Sequence, residues 1–346
     1  MKYLVCYVWN NTRGNHAGMA HMCDLLKRNW PQEYEVIRFY DKPIIDLLPS
    51  KKMNRVIGKI EFAYHNWRKN LRLEKMYKCL KDGDKVFLLE YLHPDFDLMR
   101  PIAHRIKSLG HEVTVYGLAH LTPSYLVGRH DITSEYIEGW NECVDLFLTF
   151  GHSLSDYLIS LGVQKSHVKT LFHYVDAEYY HPSSDNKVNN VQVLVQGNLQ
   201  RDYGLLESVV HACPDVEFVI CAGIKILSQF KKYANVRLLG YVSENQLRME
   251  MDNALISLNI MEDTVGSNVI TTSLAMGMAM IVSDVGSIRD YCDDSNALFC
   301  KTKEDFVNAI NNLCNNRTKL IEMCRMAQEK SKKFTIFNFH RALSEL

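Results

Sequence analysis

The sequence predicts an α/β protein built as two doubly wound domains, each a mostly parallel sheet covered by helices on both faces. Three observations carry this. Short β-branched and aromatic runs alternate with stretches of helical periodicity, the signature of parallel βα units. The alternation stops at HPSSDNKVNN, a stretch of Pro, Ser, Asn and charge without periodicity, and then restarts. The chain has 346 residues, long for one core and suited to two domains of ordinary size. The expected division is a first domain over 1–182 and a second over 190–332, with a terminal aromatic tail over 333–346.

In the first half, strands are expected at Lys2–Val8, Tyr34–Phe39, Lys85–Glu90, Glu112–Gly117 and Asp145–Phe150. The first leads into NNTRGNHAG, whose Gly14 and Gly18 allow close approach to a ligand, and then into the helical AGMAHMCDLLKRN. In the second half, strands are expected at Val191–Gln196, Val216–Ala222, Val236–Leu239, Ala254–Asn259 and Ala279–Ser283. A helix begins near Leu205, and two more close the second domain near Glu304–Cys314 and Arg317–Lys332.

Composition narrows the function. Forty basic and forty acidic side chains leave no net field to hold a polyanion, which argues against a general nucleic-acid binder. Ten cysteines without CxxC pairs or Cys/His ligand spacing read as reduced, mostly buried thiols of a cytoplasmic protein, and not as a zinc or disulfide framework. The opening MKYLVCYVW lacks the pattern of a signal peptide, and no apolar run approaches the ~18 residues that span a bilayer. One segment departs from this neutrality. Lys51 to Lys81 holds ten Lys or Arg against Glu61 and Glu74, interleaved with aromatics and aliphatics. Such a segment fits an anionic membrane surface, so peripheral attachment at the inner membrane face is a further expectation; a solvated helix face or a protein-docking surface is the alternative.

The stretch that organises the second half is IMEDTVGSNVITTSLAMGMAMIVSDVG, Ile260 to Gly286. It reads as a strand end, a polar loop with Gly266, a helix beginning at Ser267 or Asn268, then Gly277 and another strand. Ser and Asn cap helices by accepting from first-turn amides. The helix start carries roughly half a positive charge and free N–H donors, a seat for phosphate. In the first half, His93 and His120 each follow a strand, where ligand-binding groups collect in such sheets.

Taken in order, the loop with Gly18, the strand before His120, LFHYVDAEYYHP, GNLQRDYG, GYVSENQL, GSNVITTSLAMG and SDVGSIRDY resemble the GT-B glycosyltransferases of the large retaining group, family 4 or group 1. The resemblance covers nearly the whole chain. It implies the GT-B fold, with two Rossmann-like domains facing a central cleft and the tail packed back on the first. It also implies a UDP- or GDP-type nucleotide sugar as co-substrate, no metal or other cofactor, and a glycan or lipid-linked glycan acceptor. The donor would be held by Gly18, Gly197, Asn198, Arg201, Tyr203, Tyr241, Val242, Glu262, Gly266, Ser267, Asn268, Val269 and Thr272. His120 and Asp263 are the catalytic candidates, and Asn15 and His93 lie on the acceptor side.

The chemistry explains these types. Breaking the bond from the anomeric carbon to a nucleoside diphosphate builds negative charge on the leaving oxygens, and without a metal this needs preorganised donors and cations. Arg201 can grip two phosphate oxygens at once, a surface ion pair with Asp202 being its alternative. Several positions depart from the family pattern. Asn198 and Tyr203 stand where Arg and Lys are common, Thr264 and Thr272 where a glutamate pair is common, with Glu262 or Asp263 as stand-ins for the first, and Ala279 where proline is common. Two readings follow: a divergent transferase, or a GT-B-shaped protein that binds a sugar nucleotide or a partner enzyme without turnover. A sugar-nucleotide epimerase of the same fold would want the missing carboxylates.

Overall fold

The computed structural model describes residues 1–9, 15–41, 50–95, 97–128, 132–183, 191–223 and 228–346. Gly14 and most of the expected linker after Ser183 lie outside the described residues. Two compact units are formed, one by residues 1–150 and 154–171, the other by 151–153 and 172–346.

The first unit contains β1 (Lys2–Val8), α1 (Met19–Asn29), β2 (Tyr34–Tyr40), α2 (Lys51–Cys79), β3 (Lys85–Leu89), α3 (Arg100–Lys107), β4 (Thr114–Ala119), α4 (Pro123–Val127), α5 (Ser134–Asn141), β5 (Leu146–Thr149), α6 (His152–Ser160) and β6 (Val168–Thr170). The first residues of α6 group with the second unit. The strands form one sheet in the order β2-β1-β3-β4-β5-β6, and every pair is parallel. Strand order reverses between β1 and β3, which opens a crevice at their carboxyl ends. Strands such as β3 are buried along nearly their whole length, as a sheet covered on both faces requires.

The second unit contains β7 (Gln192–Gln196), α7 (Tyr203–Ala212), β8 (Glu217–Cys221), β9 (Val236–Leu238), α8 (Glu244–Asn253), β10 (Ile256–Asn259), α9 (Asn268–Ala275), β11 (Ala279–Ser283), α10 (Ile288–Tyr291), β12 (Ala297–Cys300), α11 (Lys303–Asn315), α12 (Arg317–Ser331) and α13 (Ile336–Ser344). Its all-parallel sheet runs β12-β11-β10-β7-β8-β9. The reversal here falls between β7 and β10. Val193, Phe218, Ile220, Ile256 and Ile281 from the sheet pack with Phe306, Ile310 and Leu320 from α11 and α12 into one core.

The expected βα alternation is present in both halves, with two differences. The fourth strand lies at Thr114–Ala119, two residues later than expected, so it ends directly before His120. The strands β6 and β12, of three and four residues, were too short to leave a periodic signal. The tail forms a helical turn and α13: the Phe334 ring stacks on Tyr291 at 5.1 Å, and its carbonyl accepts from the Val175 amide at 2.7 Å. Among the described residues no helix is long and apolar enough to cross a membrane.

Candidate functional site

In the second unit the loops after β7 and β10 meet over the reversal of strand order. They are zipped together by a short antiparallel contact. Arg201 bridges Met261, the Glu262 amide donates to the Gln200 carbonyl at 3.0 Å, and the Asp202 amide to the Ile260 carbonyl at 3.2 Å. Gln200 takes a positive φ of 53° to enter this pairing. The zipper fixes where Arg201 can point.

The helix α9 stands beside it. Its end is a Schellman closure: Gly277, at φ 62°, donates to the Leu274 carbonyl and the Met278 amide to that of Ser273. Its underside is pinned by buried polar contacts, Gln196 Nε2 donating to Ser273 Oγ at 2.9 Å and Ser257 Oγ meeting the same hydroxyl at 2.9 Å. Asn259 Nδ2 donates to Ser257 Oγ at 3.0 Å while its own Oδ1 is buried without a partner, and these contacts tie α9 to β7 and β10.

At that end the expectation for Ser267 needs correction in one respect. Ser267 is the N-cap residue, but its side chain accepts no first-turn amide; its hydroxyl is buried without a hydrogen-bond partner. The amides of Asn268 and Val269 have no intrahelical acceptor, by the geometry of any helix start. Gly266, at φ 93°, lies so close to Tyr291 that a Cβ would stand 2.1 Å from the ring, which seats the loop deep against α10.

Arg201 faces this end. A Cβ on Gly197, itself at φ 90°, would lie 2.9 Å from Arg201 Nη2 and 3.1 Å from Val269 Cγ2. The guanidinium and the first turn of α9 therefore both lie against the loop glycine. Its Nε and Nη1 are buried and have no hydrogen-bond partner. Burial lowers its pKa to about 10, with Tyr203 opposing the shift, so it remains charged at neutral pH. The surface ion pair with Asp202 is not formed. Asp202 instead caps α7, accepting from the Leu205 amide at 2.8 Å. A half-buried cation with two buried, unsatisfied donors, a helix amino end and an orphaned hydroxyl all lack the same complement, an anion with several acceptor oxygens.

The other expected residues are distributed around this centre. Tyr203 donates its hydroxyl to the Gly197 carbonyl at 3.1 Å, and Asn198 accepts from the Gly223 amide at 2.7 Å, so both brace the loop. Glu262 is exposed. Asp263 accepts from the Thr264 amide at 2.7 Å and packs against Gly286, where a Cβ would stand 2.4 Å from its Oδ1. Thr264 and Thr272 are each 4% exposed. Thr264 Oγ1 accepts from the Gly266 amide, and the Thr272 hydroxyl donates to its own helix at the Asn268 carbonyl, 2.6 Å away. Tyr241 is exposed and Val242 half-buried, just before α8.

The first unit carries a separate cluster at its own strand-order reversal. His120 follows β4, with Nε2 3.5 Å from Glu90 Oε2 and a buried Nδ1 that has no hydrogen-bond partner. Glu90 follows β3 at φ 62°, is buried, and accepts from Trp9 Nε1 at 3.2 Å. The His93 ring lies 6.0 Å from that of Trp9. Asn15 turns its side chain to the Ala17 amide at 2.7 Å, and Gly18 is the N-cap of α1. Glu90 is the residue that sequence reasoning missed. A carboxylate ending an apolar strand was its signal, since Glu is seldom buried without a partner.

The sequence model of the family described as glycosyl transferases group 1 matches residues 198–316. No curated protein matches by sequence. Solved structures match over the full chain at low identity. HepE from Anabaena, solved with UDP and glucose, has a TM-score of 0.70 and 13% identity, covering 100% of both chains. Sucrose-phosphate synthase from Thermosynechococcus elongatus has a TM-score of 0.69 and 12% identity, covering 100% of this chain and 99% of that one. The lipopolysaccharide outer core galactosyltransferase WaaB has a TM-score of 0.63 and 14% identity, covering 100% of both. The chain thus has the GT-B glycosyltransferase fold, and its second unit carries the sequence pattern of the group 1 glycosyl transferases over the loops and helices that surround Arg201.

Proposed function

We propose that this protein is a retaining, metal-independent glycosyltransferase that moves a sugar from a UDP-type nucleotide sugar to a hydroxyl of a glycan or lipid-linked glycan. The observation that carries the reading is the guanidinium of Arg201, with Nε and Nη1 buried and without partners, beside the amino end of α9. Support for the nucleotide comes from the comparisons, because a HepE structure was solved with UDP-glucose.

In the reaction, the bond between the anomeric carbon and the diphosphate oxygen breaks while the acceptor oxygen bonds to that carbon on the same face, and the acceptor proton passes to the leaving phosphate. Arg201 and the Asn268 and Val269 amides stabilise the charge that develops on that phosphate. In the first unit, the Glu90 and His120 pair offers an acceptor and a donor for sugar hydroxyls, with Glu90 holding the orientation of the imidazole.

A second reading has its own observation. Thr264 and Thr272 stand where the family pattern has carboxylates, and both hydroxyls are engaged within their own loop and helix. This favours a protein that binds a sugar nucleotide without turnover. The two readings separate on incubation with a panel of UDP- and GDP-sugars and glycan acceptors, following nucleotide release. Release with one donor supports the transferase. A rise in melting temperature with UDP but no release from any donor supports the silent binder. Neither release nor a thermal shift defeats both.

A further inference from the structure

We infer that α2 is a docking surface for an anionic membrane, laid flat along the helix opposite the face that packs on its own unit. The helix has 29 residues and is about 43 Å long at 1.5 Å per residue. Its inward side is marked by the buried Asn54, Gly58, Leu73 and Met76. There it rests on β2: His65 stacks on Tyr40 with centroids 4.3 Å apart, and Lys69 Nζ lies 4.7 Å from the Phe39 ring centre. The outward side should be polar if water were its only neighbour.

It is not. Met53, Val56, Ile60, Tyr64, Trp67 and Leu71 are all exposed, between 49% and 65%. Their spacings of three and four residues place them in one stripe from Met53 to Leu71, about 27 Å of the helix, beyond which the same face carries the exposed Glu74 and Lys78. At about 100° per residue, Lys52 and Lys59 border the stripe on one side and Arg68 and Lys75 on the other, and all four are exposed. Over the whole helix nine Lys or Arg stand against Glu61 and Glu74.

An apolar ridge with cations on both borders is complementary to a surface that is apolar inside and negative outside. Acyl chains would take the stripe, with Trp67 and Tyr64 at the headgroup level and the basic side chains reaching outward to phosphates. Each basic group near such a surface adds to the attraction, which salt weakens. A second copy of the chain fits less well, since pairing two such ridges would bring basic borders against basic borders.

The test is flotation of the full chain with vesicles of neutral phosphatidylcholine and of phosphatidylcholine mixed with phosphatidylglycerol. The chain is expected to float with the anionic vesicles only, and to be released as salt rises from about 0.1 to about 0.5 M. Ile60→Glu with Trp67→Glu should weaken binding at least ~tenfold, a loss of ~1.4 kcal/mol. Lys59→Glu with Arg68→Glu should do the same. These sites are exposed, so melting temperatures should stay within a few degrees of the parent, which separates lost docking from lost folding. Equal binding to neutral vesicles, unchanged binding by both variants, or no flotation at all overturns the inference. So does a concentration-dependent dimer that dissociates on Ile60→Glu without any vesicle binding.

Discussion

Gly197 lies directly beneath the Arg201 guanidinium, so near that a Cβ would stand 2.9 Å from Nη2. The glycine also holds φ 90°, where an L side chain is strained. Gly197→Ala must therefore either push the guanidinium off the end of α9 or distort the loop. We expect at least a tenfold loss of UDP affinity by calorimetry, with a stability cost of ~1–2 kcal/mol. Parent-like UDP binding would place the nucleotide elsewhere.

Removing the charge itself gives an unusual sign. Two buried nitrogens with unmet donors cost free energy in the unliganded protein even though Arg201 as a whole is half-buried, so Arg201→Met should not lower the melting temperature without ligand. The linkage agrees. Burial lowers the folded-state pKa to about 10 from 12.5, so between these values the unfolded chain holds the proton more tightly. The penalty is thus fully present at neutral pH and is relieved as pH rises through about 10. The same variant should lose the melting-temperature rise that UDP gives the parent. A strong destabilisation without ligand would mean that the guanidinium is structural.

Glu90 faces His120 with one oxygen and accepts from Trp9 with the other. Glu90→Gln keeps the volume and an acceptor but removes the charge beside the imidazole. Transfer should fall at least ~tenfold, while the thermal shift with UDP stays as in the parent, because donor binding is assigned to the second unit. A loss of UDP binding in this variant would contradict that division.

Tyr291 ties three pieces of the second unit together. Its hydroxyl accepts from the buried His173 amide at 2.9 Å, its ring stacks on Phe334, and its edge fills the space beside Gly266. Tyr291→Phe leaves that amide without its acceptor and should cost ~1–3 kcal/mol in urea denaturation. Gly266→Ala drives a methyl into the ring at a positive φ and should cost more, with weakened UDP binding as well. Tyr291→Phe should leave UDP binding nearly unchanged, since it alters the support and not the loop.

The sequence by itself determined the two βα series, the helix start near Ser267 and the basic character of 51–81, because each is written in local periodicity, turn residues and charge. It also brought Arg201 and Asn268 forward as anion ligands through the order of the family-like segments. Only the tertiary structure decided that Ser267 leaves its cap unmade, that Arg201 lacks an ion-pair partner, that Thr264 and Thr272 are spent on their own backbone, and that Glu90 meets His120 and Trp9. The same holds for the apolar ridge of α2, which exists only because the opposite face is the one buried on β2. Local patterns specify elements through short-range sterics and hydrogen bonding. Partnership between side chains tens of residues apart is set by the order of strands in a sheet, where a reversal brings distant loops to the same edge.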